Sequence, residues 1–219
     1  MWGPPLWNLF FADAPLAVRK CGFQEIIYAD DLNAFRCFLN SVSNEFVLSQ
    51  LRRCQFELHE WGAANSVTFD VEKESFHVMS RSDFHGISFR FLGVQFDLQL
   101  TMNEACSECA VEGHWRLSSL LRSRRCFALK NLALHHKSHI LSYIEYRTPA
   151  ISHAANVHLT LVDSVQKRFL RNVNMTSLEA LHQINLAPLS CRRDIANLGI
   201  IFRAVTKRGL HQLTSLFEL

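Results

Sequence analysis

The residues best equipped for chemistry are Asp30 and Asp31, adjacent carboxylates at the centre of the stretch Phe23 to Phe38, FQEIIYADDLNAFRCF. Neighbouring like charges repel, and a hard divalent cation such as Mg²⁺, which takes carboxylate oxygens, relieves that repulsion. Asp is also a common turn residue, so the pair has a structural reading beside the metal-binding one. A second candidate is Lys73, set among Asp70, Glu72 and Glu74. On its own it reads as a surface cation paired with Glu72 or Glu74. Cys106 and Cys109 have the spacing of a zinc pair, with His114 behind them and His135, His136 and His139 a helical turn apart. A structural zinc needs four convergent ligands, and no second Cys-x-x-Cys follows, so this signal is weak. The sequence has no phosphate-cradling glycine loop, no dinucleotide fingerprint and no nucleophile–His–acid order.

The elements around these residues follow from periodicity. Aromatic and β-branched runs on either side of Asp30 and Asp31 predict two antiparallel strands joined by a tight turn, with the carboxylates at the tip. Ile26, Ile27, Tyr28 and Ala29 form a continuous apolar run, the pattern of a strand covered on both faces in mid-sheet. Before the hairpin, a helix from about Pro5 presents Leu6, Leu9, Phe10 and Ala17, and Pro15 is expected to kink it. After it, Val47, Leu51, Cys54, Leu58 and Trp61 make one apolar stripe, predicting a helix over Ser41 to Trp61 that stops at Gly62. Val67 to Phe69 and Phe76 to Met79 read as short strands. Phe89 to Met102 reads as a β-hairpin with a bend or bulge at Gly93. From Asn103 helical spacing takes over, predicting four to six helices broken near Leu134, Thr148-Pro149, Asn174 and Ala187-Pro188.

Composition sets the outer limits. The 219 residues, 48% hydrophobic, suffice for one sizeable core or two small ones. Seven cysteines, an odd number without paired spacing, suggest free thiols in a reducing compartment, cytoplasm or nucleus. No apolar run approaches the ~20 residues of a spanning helix, so a soluble intracellular protein is expected. Charge is polarised: residues 1–102 hold eight Lys and Arg against twelve Asp and Glu, net −4, and residues 103–219 hold fifteen against eight, net +7. An acidic half with clustered carboxylates and a basic half suit a metal site beside a surface that grips a polyanion. Ordinary surface charge would look the same. The basic clusters are Arg122-Arg124-Arg125, Lys167-Arg168-Arg171, Arg192-Arg193 and Lys207-Arg208.

The tetrad Tyr28-Ala29-Asp30-Asp31 matches the YADD signature of reverse transcriptases, and the chain resembles the polymerase of non-LTR retrotransposons. Other matches stand in the family's order. Gly3, Pro4 and Leu6 to Asp13 resemble the loop and helix before the hairpin; Trp61 to Lys73 and Phe91 to Asp97 resemble the next two palm motifs. Leu141 to Ala154 and Leu186 to Gly199 resemble helical segments after the palm. The fold this implies is α+β: a truncated polymerase palm, an antiparallel sheet with packed helices, over residues 1–102, then an all-helical thumb-like region over residues 103–219.

The resemblance implies RNA-templated DNA synthesis by two-metal nucleotidyl transfer. Asp30 would hold Mg²⁺ or Mn²⁺, with Asp31 adding charge and outer binding, and Lys73 would approach the triphosphate. Tyr28, Phe91, Leu92 and Gly93 would contact nucleotide or primer. Arg122, Arg124, Arg125, Lys167, Arg168 and Arg171 would hold the backbone of an RNA template and DNA primer. The family's partner Asp strand and fingers would precede residue 1, so no synthesis is expected from this chain alone; Asp70 and Asp97 lack the context to replace the missing ligand. The other readings are a noncatalytic nucleic-acid-binding remnant, reliance on fingers and palm from another chain, and a longer enzyme starting upstream of Met1.

Overall fold

The computed structural model describes residues 3–208, in a chain that forms two compact units, Met1–Ile87 and Ser88–Leu219. In the first, α1 (Gly3–Phe10) gives way to a 3₁₀ turn, Phe11–Asp13, and then α2 (Ala14–Lys20). Pro15 therefore does not kink one helix; it sits in the first turn of a new one, where its missing N–H is harmless. Strand β1 (Gln24–Tyr28) pairs antiparallel with β2 (Asp31–Phe35), Tyr28 opposite Asp31, leaving Ala29 and Asp30 as the turn. Helix α3 (Asn44–Ala64) begins at Ser43, whose side chain accepts the Phe46 N–H. Its expected stripe does face inward: Val47 and Cys54 are buried, and Leu51 and Leu58 pack with Cys54 around Val18, Cys21 and Phe23. A second cluster is aromatic, with Phe11 against Trp7 at 5.1 Å and against Trp61 edge-on at 5.3 Å.

Several expectations fail in this unit. The sheet has two strands among the described residues, and Ile26, Ile27 and Tyr28 are exposed. The apolar run is thus not covered on both faces: a run of this kind records what a strand is suited to contact, not what this chain supplies. Gly62 does not end α3. It lies inside the helix, where an added Cβ would stand 2.6 Å from the Val67 carbonyl oxygen. The stop is made by Ser66 in the left-handed region (φ 58°), with Val67 N–H bonded back to Gly62 and Ser66 N–H to Ala63, a Schellman arrangement. Val67 to Phe69 is irregular, and Phe76 to Met79 contributes only a single bridge, Val78 to His85.

The second unit opens with the hairpin β3 (Phe89–Phe91) and β4 (Val94–Phe96), turning through Leu92 and Gly93, both at positive φ. It belongs with the helices, since Val94 is part of their core; the unit boundary falls at Ser88 rather than after Met102. The carboxylate of Asp97 is taken up by the N–H groups of Thr101 (2.8 Å) and Met102 (2.6 Å) at the entry to α4 (Asn103–Arg122).

A 3₁₀ turn, Arg124–Cys126, precedes α5 (Leu129–His136), which runs through a π turn, Lys137–Leu141, into α6 (Ser142–Ile151). The break expected near Leu134 is therefore absent and lies at residues 123–128. Pro149 falls in the last turn of α6, where it forfeits few hydrogen bonds, and the helix passes it. Helices α7 (Asn156–Asn172), α8 (Ser177–Ile184) and α9 (Leu189–Val205) follow, with breaks at left-handed Asn174 and at Ala187-Pro188 as expected. A Thr176/Glu179 capping box starts α8.

The core of this unit joins Cys106, Cys109 and Leu117 of α4 to Ile140, Ile144, Val162, Val165 and Phe169. Both cysteines of the apparent zinc pair are fully buried there, and burial pushes the Cys109 thiol up to about 12, so the spacing records core packing. His136 is also buried, stacked on Phe169 at 4.1 Å, with Nδ1 unpartnered.

Two measurements check these assignments. In urea unfolding, Gly62→Ala should destabilise by about 1–3 kcal/mol, because the new methyl meets backbone; Gly199→Ala, in α9 with nothing within 4 Å, should stabilise by about 0.5–1 kcal/mol. Burial, then Lys137, lower the His136 pKa from 6.5 to about 4. The unfolded chain therefore binds the extra proton between those values, and this contribution to stability is complete above pH 6.5 and falls with pH by about 1.4 kcal/mol per unit. His136→Leu should remove that part of the slope in unfolding free energies measured from pH 7 to 4.

Candidate catalytic hairpin and nucleic-acid interface

The carboxylates of Asp30 and Asp31 are exposed at the tip of the β1–β2 hairpin, where the sequence puts them. Ala29, the first turn residue, has φ 56°, a left-handed conformation that costs an L-residue roughly 1–2 kcal/mol. The turn is held by Trp7 of α1, whose indole N–H donates to the Ala29 carbonyl at 3.0 Å. Trp7 was not singled out by the sequence; its only signal was an indole N–H on the helix preceding the hairpin. Tyr28 is 65% exposed, an aromatic ring standing beside the carboxylates.

The donors suit Mg²⁺ or Mn²⁺ in kind but not in number. Two carboxylates from one turn leave most of a six-oxygen shell unfilled. Among the described residues no group of three or more His, Cys, Asp or Glu is placed to hold an ion. Nearby acids are used otherwise: Glu25 pairs with Arg19, and Asp13 accepts the Trp61 indole N–H at 3.1 Å. Lys73 is 84% exposed and 3.3 Å from Asp70, the surface pairing, although with a different acid from the Glu72 or Glu74 expected. Glu74 instead meets Gln55 and His59.

Phe91, Leu92 and Gly93 lie in the second unit. Their turn is fastened to α6: Tyr146 O–H donates to the Leu92 carbonyl at 2.7 Å and Arg147 Nη2 to that of Gly93 at 3.1 Å. Arg147 is buried and lies 3.9 Å over the Tyr143 ring, whose centroid is also 4.2 Å from the Arg116 guanidinium. Gly93 has open space around it, and Phe91 packs edge-on with Phe96.

The basic clusters separate by use. Hydrogen bonds climb together along α4 and α7: His114 Nε2 to Ser164 Oγ at 2.8 Å, Arg168 to the His114 carbonyl, and Arg124 to Asn172 Oδ1 at 2.8 Å. The helices thus run parallel, and their C-terminal ends carry Arg122, Arg124, Arg125, Lys167, Arg168 and Arg171 into one region. All are exposed except half-buried Arg168. None of the six forms an ion pair among the described residues. Arg192 and Arg193, by contrast, are bound to Glu145 and Asp163 and are structural. Lys207 and Arg208 follow α9 and are exposed. Arg168 and Arg171 add to burial in lowering the His114 pKa, a local sign of concentrated positive charge.

Comparisons with family models, curated proteins and solved structures found nothing that matches this chain. No helix among the described residues is long and apolar enough to cross a membrane.

Relief of the strained turn is the direct check on the hairpin. Ala29→Gly should raise stability by about 0.5–1 kcal/mol, the left-handed penalty less the added unfolded-chain entropy, in urea titrations followed by tryptophan fluorescence.

Proposed function

We propose that the chain is the palm-and-thumb part of a reverse transcriptase of the non-LTR retrotransposon type, and that alone it binds nucleic-acid backbone without polymerising. One observation carries the binding: six cations lie toward the parallel ends of α4 and α7, and none of them forms an ion pair among the described residues. Phosphate is the partner that such a surface fits, and bonds to phosphate position a duplex without reading its sequence. Part of this charge also complements the helix macrodipoles, but that role is met by one or two cations per helix end.

The exposed Asp30-Asp31 tip and its strained Ala29 support the palm reading, because strain persists where surrounding structure enforces it. Catalysis then requires further oxygen ligands and nucleotide-covering elements from another chain or a longer product. With those present, Asp30 and Asp31 would hold Mg²⁺ or Mn²⁺, whose chemistry is activation of the 3′ hydroxyl and stabilisation of the departing pyrophosphate. Seven unpaired cysteines support an intracellular, reducing location, cytoplasm or nucleus.

Fluorescence anisotropy with an RNA–DNA hybrid across a salt series tests the reading. Arg122→Gln, Arg125→Gln and Arg171→Gln together should weaken binding and flatten the log K against log salt slope by about 2–3, near one for each phosphate no longer neutralised. An unchanged slope would remove the proposed surface. In primer extension on an RNA template with Mg²⁺ or Mn²⁺, neither the chain nor Asp30→Ala/Asp31→Ala should extend; extension by the parent alone would show a complete catalytic site.

A further inference from the structure

We propose that His135 and His139 form a two-imidazole chelate for a divalent cation of the Zn²⁺, Ni²⁺ or Cu²⁺ class. The structure resolves the metal-like residues of this half into different environments. Cys106, Cys109 and His136 are in the core, and His114 is engaged by Ser164. His135 and His139 remain on the outside of the run that joins α5 to α6, half-buried and exposed respectively. Their rings are 5.9 Å apart between centroids and inclined by only 13°. No ring nitrogen of either takes part in a hydrogen bond among the described residues, whereas His59, His77 and His153 are all engaged.

The spacing is close to what a shared metal demands. A metal–nitrogen distance of about 2.0–2.1 Å puts each ring centroid some 3.2 Å from the ion, so two ligands at a tetrahedral angle have centroids about 5.2 Å apart. The rings are stacked, so rotation of the exposed His139 side chain out of the stack is what turns both lone pairs onto one ion. The π turn, which begins between the two histidines, is the kind of local rewinding that often accompanies functional sites. Phe127 packs on the His135 ring at 4.8 Å and restricts its orientation. Arg116 donates to the His139 carbonyl and is paired with Glu112, and the Lys137 ammonium between the two histidines donates to the Ile184 carbonyl. Two imidazoles leave coordination positions open to water or an anionic oxygen. Neutral imidazole nitrogen selects the later first-row metals over Mg²⁺, so this site is separate from the carboxylate tip.

Isothermal titration of the full chain with Ni²⁺, after alkylation of the exposed thiols Cys37, Cys126 and Cys191, tests the site. One saturable equivalent is expected, weakened tenfold or more by His139→Ala and unchanged by His85→Ala at an exposed histidine of the first unit. Circular dichroism of both variants should match the parent, since both residues are exposed. Failure to saturate, equal affinity in His139→Ala, or equal loss in His85→Ala would overturn the proposal.

Discussion

The second unit depends on the close approach of α4 and α7. Gly113 meets Val165 where a methyl would already stand 3.1 Å from the valine side chain, and small Ala105, Cys106, Cys109 and Ala110 continue the inward face of α4. Side chains of this size let two helices pack along their length instead of crossing at one point. Because the partners run parallel, with α5 and α6 returning the chain between them, both helices finish at the same end. The gathering of cations there is a consequence of that packing. No segment of the chain is basic enough to create such a region unaided; it takes two short clusters about forty residues apart in sequence.

The two hairpins share a construction. In each, a two-residue turn contains an L-residue at positive φ, Ala29 in one and Leu92 in the other, and in each a helix supplies donors to the turn carbonyls. Trp7 serves the first; Tyr146 and Arg147 serve the second. A two-stranded ribbon has little stability of its own. Donors fixed on a helix therefore decide where its tip lies, and with it where Asp30 and Asp31 stand, more than strand pairing does. Trp7 is the long-range donor that holds the turn in which Ala29 has its unfavourable φ.

Local features of this fold were legible in the sequence. The strands around Asp30 and Asp31, the stripe on α3, the helical character after Asn103 and the breaks at Asn174 and Pro188 all follow from spacing and turn chemistry. What failed depended on other parts of the molecule. The apolar run at Ile26 to Tyr28 could not say whether a covering layer exists. Gly62 looked like a helix stop because glycine serves that purpose often, but here it is required by Val67 passing against the helix. The Cys106–Cys109 spacing suits a metal and a buried helix face equally, since three residues is also nearly one helical turn. Trp7, Tyr146 and Arg147 were missed because a donor's target many residues away leaves no mark on its neighbours.

The arginines show how structure separates roles that composition merges. Arg147, Arg192 and Arg193 look, in sequence, as available to phosphate as any others. Yet Arg193 is buried against Asp163, Arg192 is bound to Glu145, and Arg147 is spent on Tyr143 and Gly93. A cation already satisfied by a carboxylate or carbonyl would have to break that bond to hold phosphate, and the partner left behind would be uncompensated. Arg122, Arg125, Lys167 and Arg171 have no such bond to give up among the described residues, so an anion bound there would remove repulsion among them as well as add attraction. The net charge of +7 over residues 103–219 is therefore unevenly used: Glu112, Glu145 and Asp163 are held by Arg116, Arg192 and Arg193, and none of the cations at the ends of α4 and α7 forms an ion pair among the described residues.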